Sequence, residues 1–150
     1  MKKITMKGKT VDEAVEAALG VLGGTKENAK IVVINEGKKG MLGVLGGEEA
    51  EVEVTVKTNT LDDGKEILQE ILDKMGLMTA VDATSGEEGQ IELNIKGEDL
   101  GRVIGKDGAA LKSLEIIVSA ILGRLYGQGV RVGVDAGEYK SRRIGALKRL

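Results

Sequence analysis

The 150-residue chain contains no Cys, His, Pro, Trp or Phe, and Tyr126 and Tyr139 are its only aromatic residues. Each absence removes a class of function. Without Cys there is no disulfide framework, thiol nucleophile, zinc finger or iron–sulfur cluster. Without His there is no Ser-His-Asp triad, imidazole metal site or charge switch near neutral pH. The lack of Trp and Phe removes the usual base-stacking platform of an RRM or an OB-fold. No apolar run approaches the ~20 residues that span a bilayer, and no signal-peptide pattern opens the chain. Direct membrane insertion is therefore not expected, and a cytoplasmic location is. No nucleophile–base pair is recognisable, so the chain is not expected to be an enzyme, and no cofactor or metal is implied.

What is present is glycine and charge. Gly accounts for 23 of the 150 residues, about twice its usual ~7% share. The net charge is -2, but it is unevenly spread. Residues 1–57 balance nine Lys against nine acids, residues 58–95 hold two Lys against nine acids, and residues 96–131 hold six bases against four acids. Residues 140–150 carry five bases, Lys140, Arg142, Arg143, Lys148 and Arg149, and no acid. This gradient places any polyanion contact after residue 95.

Hydrophobic periodicity predicts an α+β chain in two blocks. Residues 1–57 read β-α-β-β: a strand from Met1 to Met6, then a helix with Thr10 as N-cap and Glu13 completing a capping box. That helix has Val11, Ala14, Val15, Ala18, Leu19 and Leu22 on one face. A buried-type strand at Ile31–Ile34 and an alternating strand through Val52, Val54 and Val56 follow. Lys38 and Lys39 lie among glycines between the last two strands. They read as a solvated loop, with docking or RNA contact as the sharper alternative.

Residues 61–136 read α-β-β-α-α-β. A helix runs over Leu61–Met75 with Ile67, Leu68, Ile71, Leu72 and Met75 inward. Strands follow at Leu77–Ala83 and Ile91–Ile95. A short helix over Glu98–Ile104 meets a long one carrying Leu111, Leu114, Val118, Ile121, Leu122 and Leu125. Val130, Val132 and Val134 mark a last strand. From Glu138 a basic, helical tail is expected.

The sharpest feature is the joint between the two adjacent helices, Gly105-Lys106-Asp107-Gly108. Glycines there let the backbone turn tightly and let a phosphate chain come close. The N–H groups that open the next helix face the same way. Lys106 adds a point charge, Arg102 and Lys112 flank the joint, and Ile104 with Leu100 suits an adjoining apolar wall. Asp107 is out of keeping, because a carboxylate would offset much of Lys106. A Gly-x-x-Gly string by itself can also be a plain helix–helix turn. Gly101 to Asp107 is not a P-loop: three residues instead of four separate the glycines, and Asp stands where Ser or Thr would bind Mg²⁺. After Gly127-Gln128-Gly129 the third Rossmann glycine position holds Val132, so no dinucleotide fingerprint exists.

Ile104-Gly105-x-x-Gly108 between two helices, after a hairpin and before a strand, resembles a type II KH domain over residues 61–136. The resemblance implies a groove holding about four nucleotides of single-stranded nucleic acid. It nominates Arg102, Ile104, Gly105, Lys106, Asp107, Gly108 and Lys112 as RNA-binding residues, with Lys38, Lys39, Lys140, Arg142 and Arg143 as possible auxiliaries. KH grooves have an aliphatic floor, so the missing aromatics do not count against it. Gly8–Val15 and Glu36–Gly43, with its Lys38-Lys39-Gly40-Met41-Leu42-Gly43 string, resemble the N-terminal domain of the bacterial Jag family. These are the SpoIIIJ-associated proteins, also called KhpB or EloR. That family orders a Jag-N domain, a KH domain and a third domain with an Arg-x-x-x-His signature. Tyr139–Arg143 with Leu147 looks like the first turns of the third, whose signature cannot exist without His. The expected domains are thus 1–57, 61–136 and a basic tail over 137–150. The resemblance implies a single-stranded RNA-binding regulator linked to cell elongation, division and envelope synthesis. It also implies a KH-domain partner protein and association with membrane machinery. The alternative is a protein–protein adaptor whose KH fold serves dimerisation with little RNA binding, in keeping with Asp107 and the acidic 58–95 block. Separately, Ile116 and Ile117 are spare apolar positions on the long helix and predict self-association.

Overall fold

A computed structural model of the chain describes residues 1–38 and 47–149. The chain divides into two compact units, Met1–Thr58 and Asn59–Leu150.

Among the described residues the first unit is a three-stranded antiparallel sheet with one α-helix packed on it. It comprises β1 (Lys2–Gly8), α1 (Val11–Leu22), β2 (Ala29–Asn35) and β3 (Ala50–Val56). The strand order is β1-β3-β2, so the last strand lies in the middle. Helix α1 starts where the sequence predicts: Thr10 Oγ1 accepts the Glu13 N–H at 3.1 Å. The return half of the box is displaced by one residue, because Glu13 Oε2 accepts from the Lys9 N–H. Ala14, Val15, Ala18 and Leu19 pack on Val52 and Val54. The run Ile31–Ile34 is a strand but not a buried one: Val32, Val33 and Ile34 are 41%, 44% and 54% exposed. Strand β2 is an edge strand, and an apolar run alone does not separate an edge strand from a central one. Lys38 is exposed, with its N–H bonded to the Glu48 carbonyl at 3.0 Å. Lys39 and most of the glycine-rich segment lie outside the described residues.

The second unit comprises α2 (Thr60–Lys74), β4 (Thr79–Ser85), β5 (Ile91–Gly97), α3 (Leu100–Ile104), α4 (Ala109–Tyr126), β6 (Val132–Ala136) and α5 (Tyr139–Lys148). Its first six elements follow the predicted α-β-β-α-α-β order. The sheet order is β4-β5-β6. Strands β4 and β5 form an antiparallel hairpin, whereas β5 and β6 run parallel, with Ile91 opposite Val132 and Ile95 opposite Ala136. Parallel neighbours need a crossover, and α3 with α4 forms it. The core is aliphatic, built from Leu68 and Leu72 of α2, Leu93 and Ile95 of β5, and Val118 and Leu122 of α4, all fully buried. Met75, expected inward, is 51% exposed, because the helix ends at Lys74 and Met75 is its C-cap. Gln69 of α2 closes one side of the β4 edge: its Nε2 donates to the Thr79 carbonyl at 2.9 Å and its Oε1 accepts the Val81 N–H at 3.0 Å.

Two polar anchors tie the helices down. Asp63 of α2 is completely buried, and the Tyr126 hydroxyl at the end of α4 donates to its Oδ2 at 2.5 Å. Beside it, Gly64 lets α4 approach closely, since a Cβ there would stand 3.2 Å from Leu122 Cδ1. Glu115 of α4 is the second anchor. It accepts the Val134 N–H at 3.0 Å, the Lys140 Nζ of α5 at 2.8 Å and the Lys112 Nζ at 3.2 Å. Among the described residues no helix is long and apolar enough to cross a membrane.

Both anchors make stability depend on pH. Burial, then the Asp63 carboxyl, pushes the Tyr126 hydroxyl well above its ordinary value of 10. The folded chain therefore holds that proton more tightly than the unfolded one. The benefit is complete below pH about 10 and is lost as pH rises beyond it. Tyr126→Phe is expected to cost about 1–3 kcal/mol at neutral pH, the cost of leaving a buried acceptor without its donor. In urea unfolding the gap to wild type narrows above pH ~10; a gap independent of pH contradicts this. Burial raises the Glu115 carboxyl, but the Lys140, Val134 and Lys112 donors outweigh it and hold it below its ordinary 4.5. Its contribution is present above pH 4.5 and disappears as pH falls through the lower folded value. Glu115→Gln is expected to lower stability by ~1 kcal/mol at neutral pH and to speed amide exchange in α5, with both effects vanishing in acid.

Candidate nucleic-acid interface

The Gly105–Gly108 joint sits inside the β5–β6 crossover, and the strand directions decide its surroundings. Because β5 and β6 are parallel, both end at the same edge of the sheet. Helix α3 starts just after one end and α5 just after the other. The loop between α3 and α4 and the first turn of α5 are thereby brought together.

The loop backbone is unusual at three of its four positions. Gly105 has φ 72° and ψ -177°, Asp107 has φ 54° and ψ 24°, and Gly108 has φ 79° and ψ 14°. The first combination is essentially restricted to glycine. Asp is among the few residues that tolerate the left-handed region occupied by position 107. A backbone reason for Asp107 thus exists that the sequence did not reveal. Helix α4 opens on Gly108 with no side-chain cap, so its first N–H groups receive no side-chain acceptor at that position.

The glycines also serve the chain itself. A Cβ on Gly105 would stand 2.9 Å from Ala110 Cβ, and one on Gly108 would stand 2.8 Å from the Tyr139 ring. From sequence alone, the bare backbone at these glycines suggests room for a phosphate chain. The geometry shows that on the Cβ side of both glycines the space is already filled, at Gly108 by α5.

The nominated cations fall into two groups. Arg102 and Lys106 are exposed, and among the described residues no ion pair or side-chain hydrogen bond engages either. Lys112 and Lys140 both pair with Glu115, and Arg143 lies 3.7 Å from Asp107. Arg142 is exposed on α5. Ile104 is half-buried, whereas its neighbour Val103 is completely buried and holds α3 to the core. Lys38 belongs to the first unit, and Lys39 lies outside the described residues.

Sequence reasoning missed two residues at this edge, Tyr139 and Glu115. Tyr139 is half-buried against Gly108; its signal was its rarity, as one of two aromatics in the chain. Glu115 interrupts the apolar face of α4 three residues after Lys112, a spacing that pairs charges on a helix.

Two family models match the chain. The "Jag N-terminus" model covers residues 6–56 and the "KhpA/KhpB, KH domain" model covers residues 65–134. An "RNA-binding protein KhpB" of Bacillus subtilis (strain 168) is 35% identical over 150 residues, covering all of this chain and 72% of the relative. An "RNA-binding protein KhpB" of Clostridium symbiosum is 32% identical over 151 residues, covering all of this chain and 68% of the relative. An "RNA-binding protein KhpA" of Thermotoga maritima is 51% identical over 39 residues, 25% of this chain and 52% of that protein. With a Jag N-terminal module, a KH module and similarity of this order over the whole of this chain, the chain belongs to the Jag/KhpB family.

Proposed function

We propose that the chain is a non-enzymatic, cytoplasmic regulator that holds a short single-stranded RNA segment at the Gly105–Gly108 loop. The observation that carries this reading is the pair of exposed cations, Arg102 and Lys106, set without ion-pair partners among the described residues beside a Gly-x-x-Gly backbone. The relatives' names as RNA-binding proteins support it. Arg102 and Lys106 supply charge, Gly105 and Gly108 supply the turn, and Ile104 supplies apolar contact next to it. Lys112 stands at the rim, with its ammonium shared with Glu115. Lys38, Lys39, Lys140 and Arg142 are auxiliary contacts at most.

In domain terms, residues 1–57 are the Jag-N module, 61–136 the KH module, and 137–150 a basic tail that carries α5. The family resemblance extends the proposal to cell elongation, division and envelope synthesis, through the N-terminal module and membrane-associated proteins of that machinery. It also extends it to a KH-domain partner, in keeping with the similarity to a KhpA protein. The second reading, a protein–protein adaptor, is favoured by Ile116 and Ile117, which stand 59% and 45% exposed on α4.

Titration with short single-stranded RNA at several salt concentrations separates the two. RNA binding predicts affinity that falls with salt. Arg102→Ala and Lys106→Ala are each expected to flatten the slope of log K against log[salt] by about 0.7, the share of one contact to a single strand. Both side chains are exposed, so the fold is unaffected. No binding at ~100 μM protein in low salt would contradict the RNA reading and leave the adaptor, because non-specific contact alone reaches roughly 10⁻⁴–10⁻⁶ M.

A further inference from the structure

An acid in a phosphate-binding loop needs an explanation, and α5 offers one. Asp107 is fixed in the left-handed region, with its carboxylate 66% exposed beside Lys106. Left alone, that charge repels a phosphate chain approaching Lys106. Arg143 of α5 lies 3.7 Å away, with its side chain 49% exposed. Its placement is not incidental to the fold. Three contacts seat α5 at this edge: the Tyr139 ring on Gly108, the Lys140 Nζ on Glu115, and the Lys140 N–H on Asp135 Oδ1 at 3.2 Å. Arg143 follows Tyr139 by four residues, so on a helix both lie on the face turned to the loop.

On the reading of the loop given above, we infer that α5 is part of the nucleic-acid site, with Arg143 as the counter-charge that makes Asp107 compatible with a bound phosphate chain. Tyr139 is the positioning residue, because its ring against Gly108 sets the register that brings Arg143 to Asp107. The pair is solvent-exposed and long, so it adds little to stability. Its effect is on the local field at the loop, and salt screens it.

The inference differs from a simple extra contact. If Arg143 only touched phosphate, its removal would weaken binding equally whether or not Asp107 carried a charge. If Arg143 masks Asp107, the two effects are coupled.

The test is a double-mutant cycle. Binding of a single-stranded RNA of about ten nucleotides, longer than the ~four that such a loop holds, is measured at low ionic strength. The proteins are wild type, Arg143→Ala, Asp107→Asn and the double variant. Arg143→Ala is expected to weaken binding about three- to fivefold, the scale of one exposed charge pair. Asp107→Asn alone changes little, and in the Arg143→Ala background it restores most of the loss. Tyr139→Leu is expected to weaken binding as Arg143→Ala does and to make the second substitution silent, whereas Tyr139→Phe, which keeps the ring, behaves as wild type. Thermal unfolding of each variant verifies that it is folded. Wild-type binding with additive effects at 107 and 143 would overturn the inference alone. Absence of wild-type binding would overturn the reading of the loop on which it rests.

Discussion

Two parallel neighbours in a sheet cannot be joined by a hairpin, and the pairing of β5 with β6 therefore imposes a crossover on the second unit. Everything at the candidate site descends from that constraint. The crossover is made of α3 and α4, and the glycine joint is the corner between them. The same parallel register brings the ends of both strands to one edge, so the helix that follows β6 starts beside the loop that follows β5. Had β6 run antiparallel to β5, α5 would leave from the opposite edge.

Within that frame the loop is a compromise between backbone and charge. Three of its four residues have positive φ, which admits glycine and, with some tolerance, Asp. The choice of Asp at position 107 meets the backbone requirement and creates an electrostatic problem. The surrounding side chains divide accordingly. Arg102 and Lys106 face outward, Lys112 and Lys140 gather on Glu115, and Arg143 faces Asp107. The site's polarity thus comes from residues on three helices, α3, α4 and α5, rather than from the loop alone.

Much of this was legible in the sequence, and the exceptions have physical causes. The order of elements followed from periodicity, because α1, α2 and α4 each bury one apolar face and several strands alternate. The loop followed from the position of Gly105 and Gly108 between two helices. The exposure of β2 is not legible in Ile31–Ile34, which is uniformly apolar, because sheet position, which depends on β3 arriving later in the chain, decides it. Asp63 was invisible for a similar reason: its partner Tyr126 lies 63 residues away. The docking of Tyr139 is not legible either, since nothing in a run of basic residues says that its first turn docks on a glycine thirty-one positions earlier. Local patterns announce local structure; long-range contacts made by one or two side chains do not.

The central claim is that RNA is held at the edge where α3, the loop and α5 meet. Photocrosslinking of bound RNA to the intact chain, with the modified peptides identified by mass spectrometry, tests it most directly. The account predicts adducts within residues 100–112, centred on Lys106, with a second group within 139–143. Adducts confined to the first unit, around Lys38 and Lys39, with none at the loop, would contradict it.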